Sequence, residues 1–185
     1  WPHDPISFPF LPEAEEEYAG FIAEVCTSER VELQVLNAEM QTRSEQMLTA
    51  RGADLTRVRF HLGDYADIWF RDYGPLFVRD RRRGSLAMVK WIFNAWGGKY
   101  ETLLKDNAVP YRMRDLLRLP MLEPGIVMEG GSIEVNGLGT LLTTEQCLLN
   151  PNRNPQLSRA EIEQALAAYL EIGRAHAELQ SHLNL

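Results

Sequence analysis

The spacing of hydrophobic residues divides the chain into helical and extended segments. Tyr18, Phe21, Ile22 and Val25 recur on one face of a helix whose acidic first turns follow Pro12. The same 3.6-residue period, with Gly or a capping box at the ends, marks three more helices. The predicted helices are Pro12–Thr27, Ala38–Arg51, Val109–Leu119 and a helix that begins with the Ser158/Glu161 capping box and ends near Leu170.

Alternating or continuous apolar runs predict the strands between these helices. Two hairpins are expected, one through the polar residues 80–85 and one through Asn136-Gly137, a strong turn signal. Groups of strands alternate with single helices at a spacing of roughly 50–60 residues, which is typical of propeller-like repeats. The pattern therefore predicts a mixed α/β fold. The predicted strands are Val31–Leu36, Arg57–Leu62, Leu76–Val78, Leu86–Phe93, Ile126–Met128, Ser132–Val135 and Gly139–Thr144.

One stretch, Asp67–Pro75, concentrates aromatic and ionisable residues, and we predict a short strand that enters a turn at Gly74. Trp69 and Asp72 lie three residues apart within it. A carboxylate beside a large aromatic ring suits a planar cation, because the acid pairs with the charge and the ring covers its face. The local sequence alone favours the alternative, an Asp that caps a turn beside a core Trp.

Composition narrows the range of functions. The formal net charge of −7 disfavours nucleic acid as a partner and suits a cationic substrate. Two widely separated cysteines give no disulfide framework, and no apolar run approaches the ~20 residues of a membrane-spanning helix. We therefore expect a cytoplasmic protein without a membrane or nucleic-acid partner.

Four motifs in order resemble the agmatine deiminase and bacterial peptidylarginine deiminase family. They are Trp1-Pro2-His3, Trp69-Phe-Arg-Asp-Tyr-Gly-Pro75, Phe93-Asn-Ala-Trp-Gly-Gly-Lys-Tyr100, and the run from Glu129-Gly-Gly-Ser132 through Thr143-Thr-Glu-Gln-Cys-Leu-Leu-Asn-Pro-Asn-Arg-Asn-Pro155. The resemblance extends from Trp1 to about Leu170. It implies an α/β fold, a partial α/β-propeller of the guanidine-modifying (pentein) type with about three of five ββαβ modules.

The resemblance also implies a reaction and a set of substrate-binding residues. Family members hydrolyse a guanidinium group to a ureido group and ammonia, using carboxylates, a catalytic His and a Cys nucleophile, without a cofactor or metal. By match, Asp72 is a guanidinium-binding carboxylate with Trp69 as its aromatic neighbour. Trp96 is expected to reach the substrate from a flexible Trp-Gly-Gly loop, and Glu129 to lie at the edge of the site or support it.

The catalytic set is incomplete in this sequence. The family's Gly-His-x-Asp element does not occur, Cys147 matches a position that is not the nucleophile, and Cys26 is expected to be a core residue. We therefore expect a fragment of an agmatine deiminase, which acts on a small cationic guanidino substrate and feeds putrescine synthesis, and whose parent protein is a candidate homo-oligomer. The alternatives are a peptidylarginine deiminase and a catalytically dead binding module.

The two ends of the chain support the fragment hypothesis. The sequence starts with Trp1 inside a motif, and residues 1–170 are expected to be the N-terminal portion of a deiminase-like catalytic domain. Residues 171–176 spell Glu-Ile-Gly-Arg-Ala-His, which is the translation of a common sequencing adapter. We expect 171–185 to be a non-native tail, the alternative being an amphipathic helix. Removing modules from a propeller is expected to expose strand residues such as Val127, Met128, Leu141 and Leu142.

Overall fold

The first unit of the fold, residues 1–68, alternates helices with two parallel strands. The computed structural model describes residues 1–3, 9–80 and 83–170, and the backbone of 174–177. Strands β1 and β2 pair in parallel from Val31–Val58 to Val35–Leu62. Asn37 caps α2 by accepting the backbone N–H of Met40 at 2.9 Å. The elements of this unit are α1 (Leu11–Val25), β1 (Val31–Val35), α2 (Ala38–Ala50) and β2 (Val58–Leu62).

The core of this first unit is formed by the facing sides of its helices and strands. Ala19 and Ile22 of α1 pack with Leu48 of α2 over Val35 of β1, and all four are buried. Burying side chains of this size contributes about 1.5–3 kcal/mol for each large aliphatic residue. Cys26 belongs to the same core, as expected from the sequence.

The second unit, residues 69–185, contains two three-stranded sheets with the same topology. In each sheet an antiparallel hairpin is followed by at least one helix and then by a strand that joins the hairpin in parallel. One sheet has the order β3-β4-β5 and the other β6-β7-β8. The unit comprises α3 (Phe70–Tyr73), β3 (Leu76–Arg79), β4 (Leu86–Val89), α4 (Val109–Leu117), β5 (Met121–Leu122), β6 (Ile133–Val135), β7 (Thr140–Thr143), α5 (Glu145–Leu148), α6 (Arg159–Leu170) and β8 (Arg174–Ala177).

A separate core holds the second unit together. Val89 at the end of β4 and Leu141 in β7 are both fully buried, and Leu166 of α6 packs with them. The buried side chain of Asn154 accepts the N–H of Val127 at 2.9 Å and donates to the Val127 carbonyl at 2.9 Å. This amide therefore satisfies both backbone groups of Val127, as a neighbouring strand would.

Several predicted elements are confirmed and others are corrected. Both hairpins are present, and the capping box before α6 forms, with Ser158 Oγ donating to Glu161 Oε2 at 2.7 Å. The predicted strand at Ile126–Met128 is reduced to a single bridge between Val127 and Ile92. The short strand β5 and the short helix α5 were not predicted, because two and four residues carry too little periodicity to be recognised.

The expected exposure of strand residues is wrong at two positions. Met128 is 1% exposed and Leu141 is fully buried, because both lie in the core of the second unit. Leu142 points away from that core and is 45% exposed, as expected. Val127 is partly buried.

The predicted non-native tail lies outside the described residues, except for the backbone of Arg174–Ala177, which pairs in parallel with β7. Its origin stays a prediction. None of the helices in the described part of the chain combines the length and the apolar character needed to cross a bilayer.

Candidate guanidinium-binding site

The helical turn α3 fixes the position of Asp72. The carbonyl of Trp69 accepts the N–H of Asp72 at 2.8 Å, and the carbonyl of Phe70 accepts the N–H of Gly74 at 2.7 Å. A Cβ on Gly74 would lie 2.5 Å from the Phe70 carbonyl oxygen, so only glycine allows this closure. The prediction of a strand across these residues is therefore wrong, because the backbone closes a turn of helix before Pro75.

Two neutral donors orient the carboxylate of Asp72. Its Oδ1 accepts the backbone N–H of Gly131 at 3.0 Å, and its Oδ2 accepts the indole Nε1–H of Trp96 at 3.0 Å. Neither donor carries a charge, so these bonds fix the direction of the carboxylate without neutralising it. A fixed, negatively charged group of this kind is suited to pair with a cation.

Aromatic rings surround this carboxylate. Trp96 lies at the centre of the group, with ring centroids of Phe93, Tyr100 and Trp69 at 5.6, 5.7 and 5.8 Å in edge-to-face contact. Trp69 is 49% exposed and Tyr100 is 48% exposed, so both have ring surface open to solvent. Exposed aromatic faces beside a carboxylate attract a planar cation through the ring quadrupole.

Trp96 lies in a left-handed turn, Ala95–Gly98, rather than in the flexible loop expected from its glycines. The φ angles of the four residues are 54°, 55°, 86° and 75°. Two of these residues are not glycine, and each such residue costs about 1–2 kcal/mol in this region. The surrounding contacts must therefore hold the turn in place.

Glu129 is buried in an ion pair. Its side chain is 4% exposed, and its Oε1 accepts a hydrogen bond from Arg153 Nε at 2.6 Å. Arg153 is itself 10% exposed at its side chain. The charge of Glu129 is thus compensated by a guanidinium of the same chain, whereas the bonds that Asp72 makes within the described residues come from the neutral groups of Gly131 and Trp96.

The four predicted substrate-binding residues fall into one region of the second unit. Asp72 and Trp96 are bonded directly, and the ring of Trp69 contacts that of Trp96. Glu129 lies two residues before Gly131, whose backbone N–H bonds to Asp72. Their roles toward a substrate stay predictions.

Three participants were not assigned by sequence reasoning. Gly131, Tyr100 and Arg153 were named in the sequence only as members of the family motifs. The donor role of Gly131 and the ion pair of Arg153 join residues 59 and 24 positions apart. A local pattern carries no signal for such pairs.

The surroundings of Cys26 disfavour a role as nucleophile. Burial raises the pKa of the Cys26 thiol, and Asp54 adds to the effect. Cys147 lies in α5, where its backbone N–H is accepted by Thr144 Oγ1 at 3.3 Å. Within residues 1–3, 9–80 and 83–170, no group of three or more His, Cys, Asp and Glu side chains lies close enough together to hold a metal ion.

Replacing Gly130 by alanine tests the packing beneath the site. The added Cβ would lie 2.2 Å from the carbonyl oxygen of Arg71, a backbone atom that cannot rotate away. We expect Gly130→Ala to lower the free energy of unfolding by about 1–3 kcal/mol, measured by denaturant titration. Gly20→Ala is the control, since nothing lies within 4 Å of its Cβ and alanine favours helix α1. Equal stability of the two variants would show that the backbone contact is not tight.

The fold and the site define the class of protein. A mixed α/β chain presents an oriented carboxylate against aromatic rings, an arrangement suited to a guanidinium group. The chain belongs to the Porphyromonas-type peptidyl-arginine deiminase family, whose model matches residues 1–177.

Relatives and solved structures narrow the comparison. An agmatine deiminase of Stutzerimonas stutzeri is 47% identical over 135 residues, which cover 70% of this chain and 36% of the relative. The substrate-bound agmatine deiminase of C. jejuni is similar with a TM-score of 0.79 and 29% identity, covering 91% of this chain and 48% of that one. The agmatine deiminase of Enterococcus faecalis gives a TM-score of 0.79 and 31% identity, over 95% of this chain and 47% of that one. The chain thus spans about half the length of these proteins or less.

Proposed function

We propose that this chain is part of an agmatine deiminase, which hydrolyses the guanidinium of agmatine to give N-carbamoylputrescine and ammonia. The observation that carries the proposal is the carboxylate of Asp72, oriented by the neutral donors of Trp96 and Gly131. The similarity to agmatine deiminases from several organisms supports it. The product is a precursor of putrescine, which places the reaction in polyamine synthesis.

The proposed role of Asp72 follows from the chemistry of the substrate. A guanidinium is a poor electrophile because its positive charge is delocalised over three nitrogens. Pairing with a fixed carboxylate holds the planar cation while a thiolate attacks its central carbon and one nitrogen leaves as ammonia. Water then releases the ureido product from the sulfur. Asp72 binds and orients in this scheme, and the thiolate is supplied from outside these 185 residues.

The aromatic rings are proposed to complete the binding surface. Trp69 and Trp96 stand edge to face with their centroids 5.8 Å apart, and Trp69 is half exposed. A guanidinium stacked on one of these rings keeps its N–H groups in plane toward a carboxylate. Glu129 is proposed to support the site from below, since its carboxylate is bonded to Arg153.

Agmatine is favoured over peptidylarginine by the absence of arginine from the segment around the Trp96 turn. Agmatine lacks the carboxyl group of arginine, so its enzyme needs no arginine side chain to bind one. Residues 94–100 contain no arginine, and the guanidinium of Arg153, which lies against Gly97, already bonds to Glu129 and Asn152. A peptidylarginine deiminase of the same family is the second candidate, because the family model carries that name.

The repeated sheet topology supports a propeller of the guanidine-modifying type. Sheets β3-β4-β5 and β6-β7-β8 each consist of a hairpin, a helical connection and a parallel strand, which is one ββαβ module. The parallel strands β1 and β2 are proposed to belong to a further module. About three of five modules would then be represented in this chain.

The full-length protein that carries this sequence provides the test. We expect it to release ammonia and N-carbamoylputrescine from agmatine with a higher kcat/KM than for a peptidylarginine substrate. The two products are measured by a coupled ammonia assay and by chromatography. The reverse preference would assign the protein to the peptidylarginine branch. Binding of agmatine without turnover would support the binding-module alternative.

A further inference from the structure

The left-handed turn Ala95–Gly98 is held from two sides. Asn94 Oδ1 accepts the N–H of Gly97 at 2.8 Å, and Asn94 Nδ2 donates to the carbonyl of Asn152 at 2.9 Å. The carbonyl of Asn94 also accepts the N–H of Gly98 at 2.7 Å. The side chain of Asn94 thus ties the turn to the segment that contains Arg153.

Gly97 lies directly against that segment. A Cβ at this position would be 2.2 Å from Arg153 Nη1 and 2.2 Å from Asn152 Nδ2. The neighbouring Gly98 also has a positive φ, of 75°, but nothing lies within 4 Å of its Cβ position. The two glycines therefore share the same backbone requirement, and only Gly97 is in contact with Arg153.

Arg153 is fixed by bonds of its own. Its Nε donates to Glu129 Oε1 at 2.6 Å and its Nη1 donates to Asn152 Oδ1 at 2.9 Å. The adjacent Asn154 is buried and bonded in both directions to the backbone of Val127. Arg153 is therefore a rigid support, since two nitrogens of its planar guanidinium group are already engaged as hydrogen-bond donors.

These contacts form a closed circuit. Glu129 leads through Gly130 to Gly131, whose N–H bonds to Asp72, and Asp72 accepts the indole N–H of Trp96. Trp96 precedes Gly97, which contacts Arg153, and Arg153 donates a hydrogen bond to Glu129, where the circuit began.

We propose that Arg153 is a positioning residue. It packs against Gly97 and pairs with Glu129, and these two contacts keep the indole of Trp96 hydrogen-bonded to the carboxylate of Asp72. The proposed effect of Arg153 on the Trp96–Asp72 hydrogen bond does not depend on which reaction the protein catalyses. The expected effect of Arg153 on kcat/KM for agmatine rests on the proposed agmatine deiminase function. A lysine at this position has the charge but lacks the planar fork that bonds Glu129 and Asn152 together.

The first experiment follows the Trp96 indole signal in the full-length protein labelled with ¹⁵N-tryptophan, assigned with Trp96→Phe. We expect Arg153→Gln and Gly97→Ala to shift this signal and to speed its hydrogen exchange, while the signals of the other tryptophans change less. Gly98→Ala is the control for the left-handed backbone, and Arg159→Gln is the control for an arginine that pairs at the surface with Glu145 and Glu163. A Trp96 signal that is equally changed by Gly97→Ala and Gly98→Ala would overturn the proposal.

The second experiment measures agmatine hydrolysis by the same variants. We expect Arg153→Gln to lower kcat/KM by about 100-fold, because a misplaced binding group disturbs the geometry of reaction, and Arg153→Lys to recover only part of it. In a Trp96→Phe background, the fold-loss of kcat/KM caused by Arg153→Gln should be at least ten times smaller than in the unmodified protein, because both changes remove the same support. Independent, multiplicative effects would overturn the proposal. Absence of turnover in the unmodified protein would contradict the proposed function, and the indole signal would still decide the role of Arg153.

Discussion

Asp72→Asn in the full-length protein is expected to lower kcat/KM for agmatine by roughly 30-fold to several thousand-fold. The amide keeps the shape of the side chain but loses the charge that pairs with the guanidinium. Loss of a hydrogen-bonded charge partner in a desolvated site costs about 2–5 kcal/mol, and each 1.4 kcal/mol is about tenfold. Steady-state assays of ammonia release measure the effect directly.

Asp115→Asn is a matched control for this variant. Asp115 carries the same functional group, but its side chain is 70% exposed and pairs with Arg114 at the surface of α4. The control should retain the activity of the unmodified protein and its unfolding free energy within about 0.5 kcal/mol. An Asp72→Asn protein that is as active as this control would remove Asp72 from the substrate site.

The 185-residue chain on its own is expected to hydrolyse no agmatine. Its two cysteines are Cys26, whose thiol is buried and has a raised pKa, and Cys147, which lies in α5 and matches a family position that is not the nucleophile. A thiolate is the nucleophile in this chemistry, and a thiol with a raised pKa supplies little of it near pH 7. The assay compares ammonia release by the chain with that by the full-length protein at equal concentration.

Cys147→Ser distinguishes the explanations if the chain does turn over agmatine. Turnover that disappears in this variant would make Cys147 a nucleophile and would contradict the missing-nucleophile argument. In the full-length protein we expect Cys147→Ser to leave kcat unchanged, because the thiol is assigned no role in the site.

The sequence was informative wherever the structure depends on near neighbours. The Asn136-Gly137 turn predicted the β6–β7 hairpin because these residues tolerate the backbone angles of a tight turn. The Ser158/Glu161 pair predicted the start of α6 because the two side chains cap the first turn reciprocally. The family motifs also named Asp72, Trp69 and Trp96, which the structure brings into one group.

The sequence was less informative where distant residues decide the local backbone. Residues Phe70–Tyr73 form a helical turn although their aromatic content favours a strand, and the bond from Gly131 holds Asp72 in that turn. Ala95 and Trp96 adopt positive φ angles that their residue types disfavour, because the side chain of Asn94 bonds to Gly97 and to the distant Asn152 and so holds the turn. The ion pair between Glu129 and Arg153 likewise has no local signature.

The circuit around Asp72 has a consequence for the order in which the protein folds. Its bonds join residues 24, 59 and 24 positions apart, and the bond from Asn94 that supports the Trp96 turn spans 58, so each requires the closure of a long loop. Contacts of high sequence separation form slowly, because the chain entropy is lost before the contact is gained. During synthesis, the motif Trp69–Pro75 leaves the ribosome well before Arg153. More than 70 further residues must therefore be synthesised before all the contacts that orient the carboxylate of Asp72 can form. Synthesis proceeds at about 5–20 residues per second.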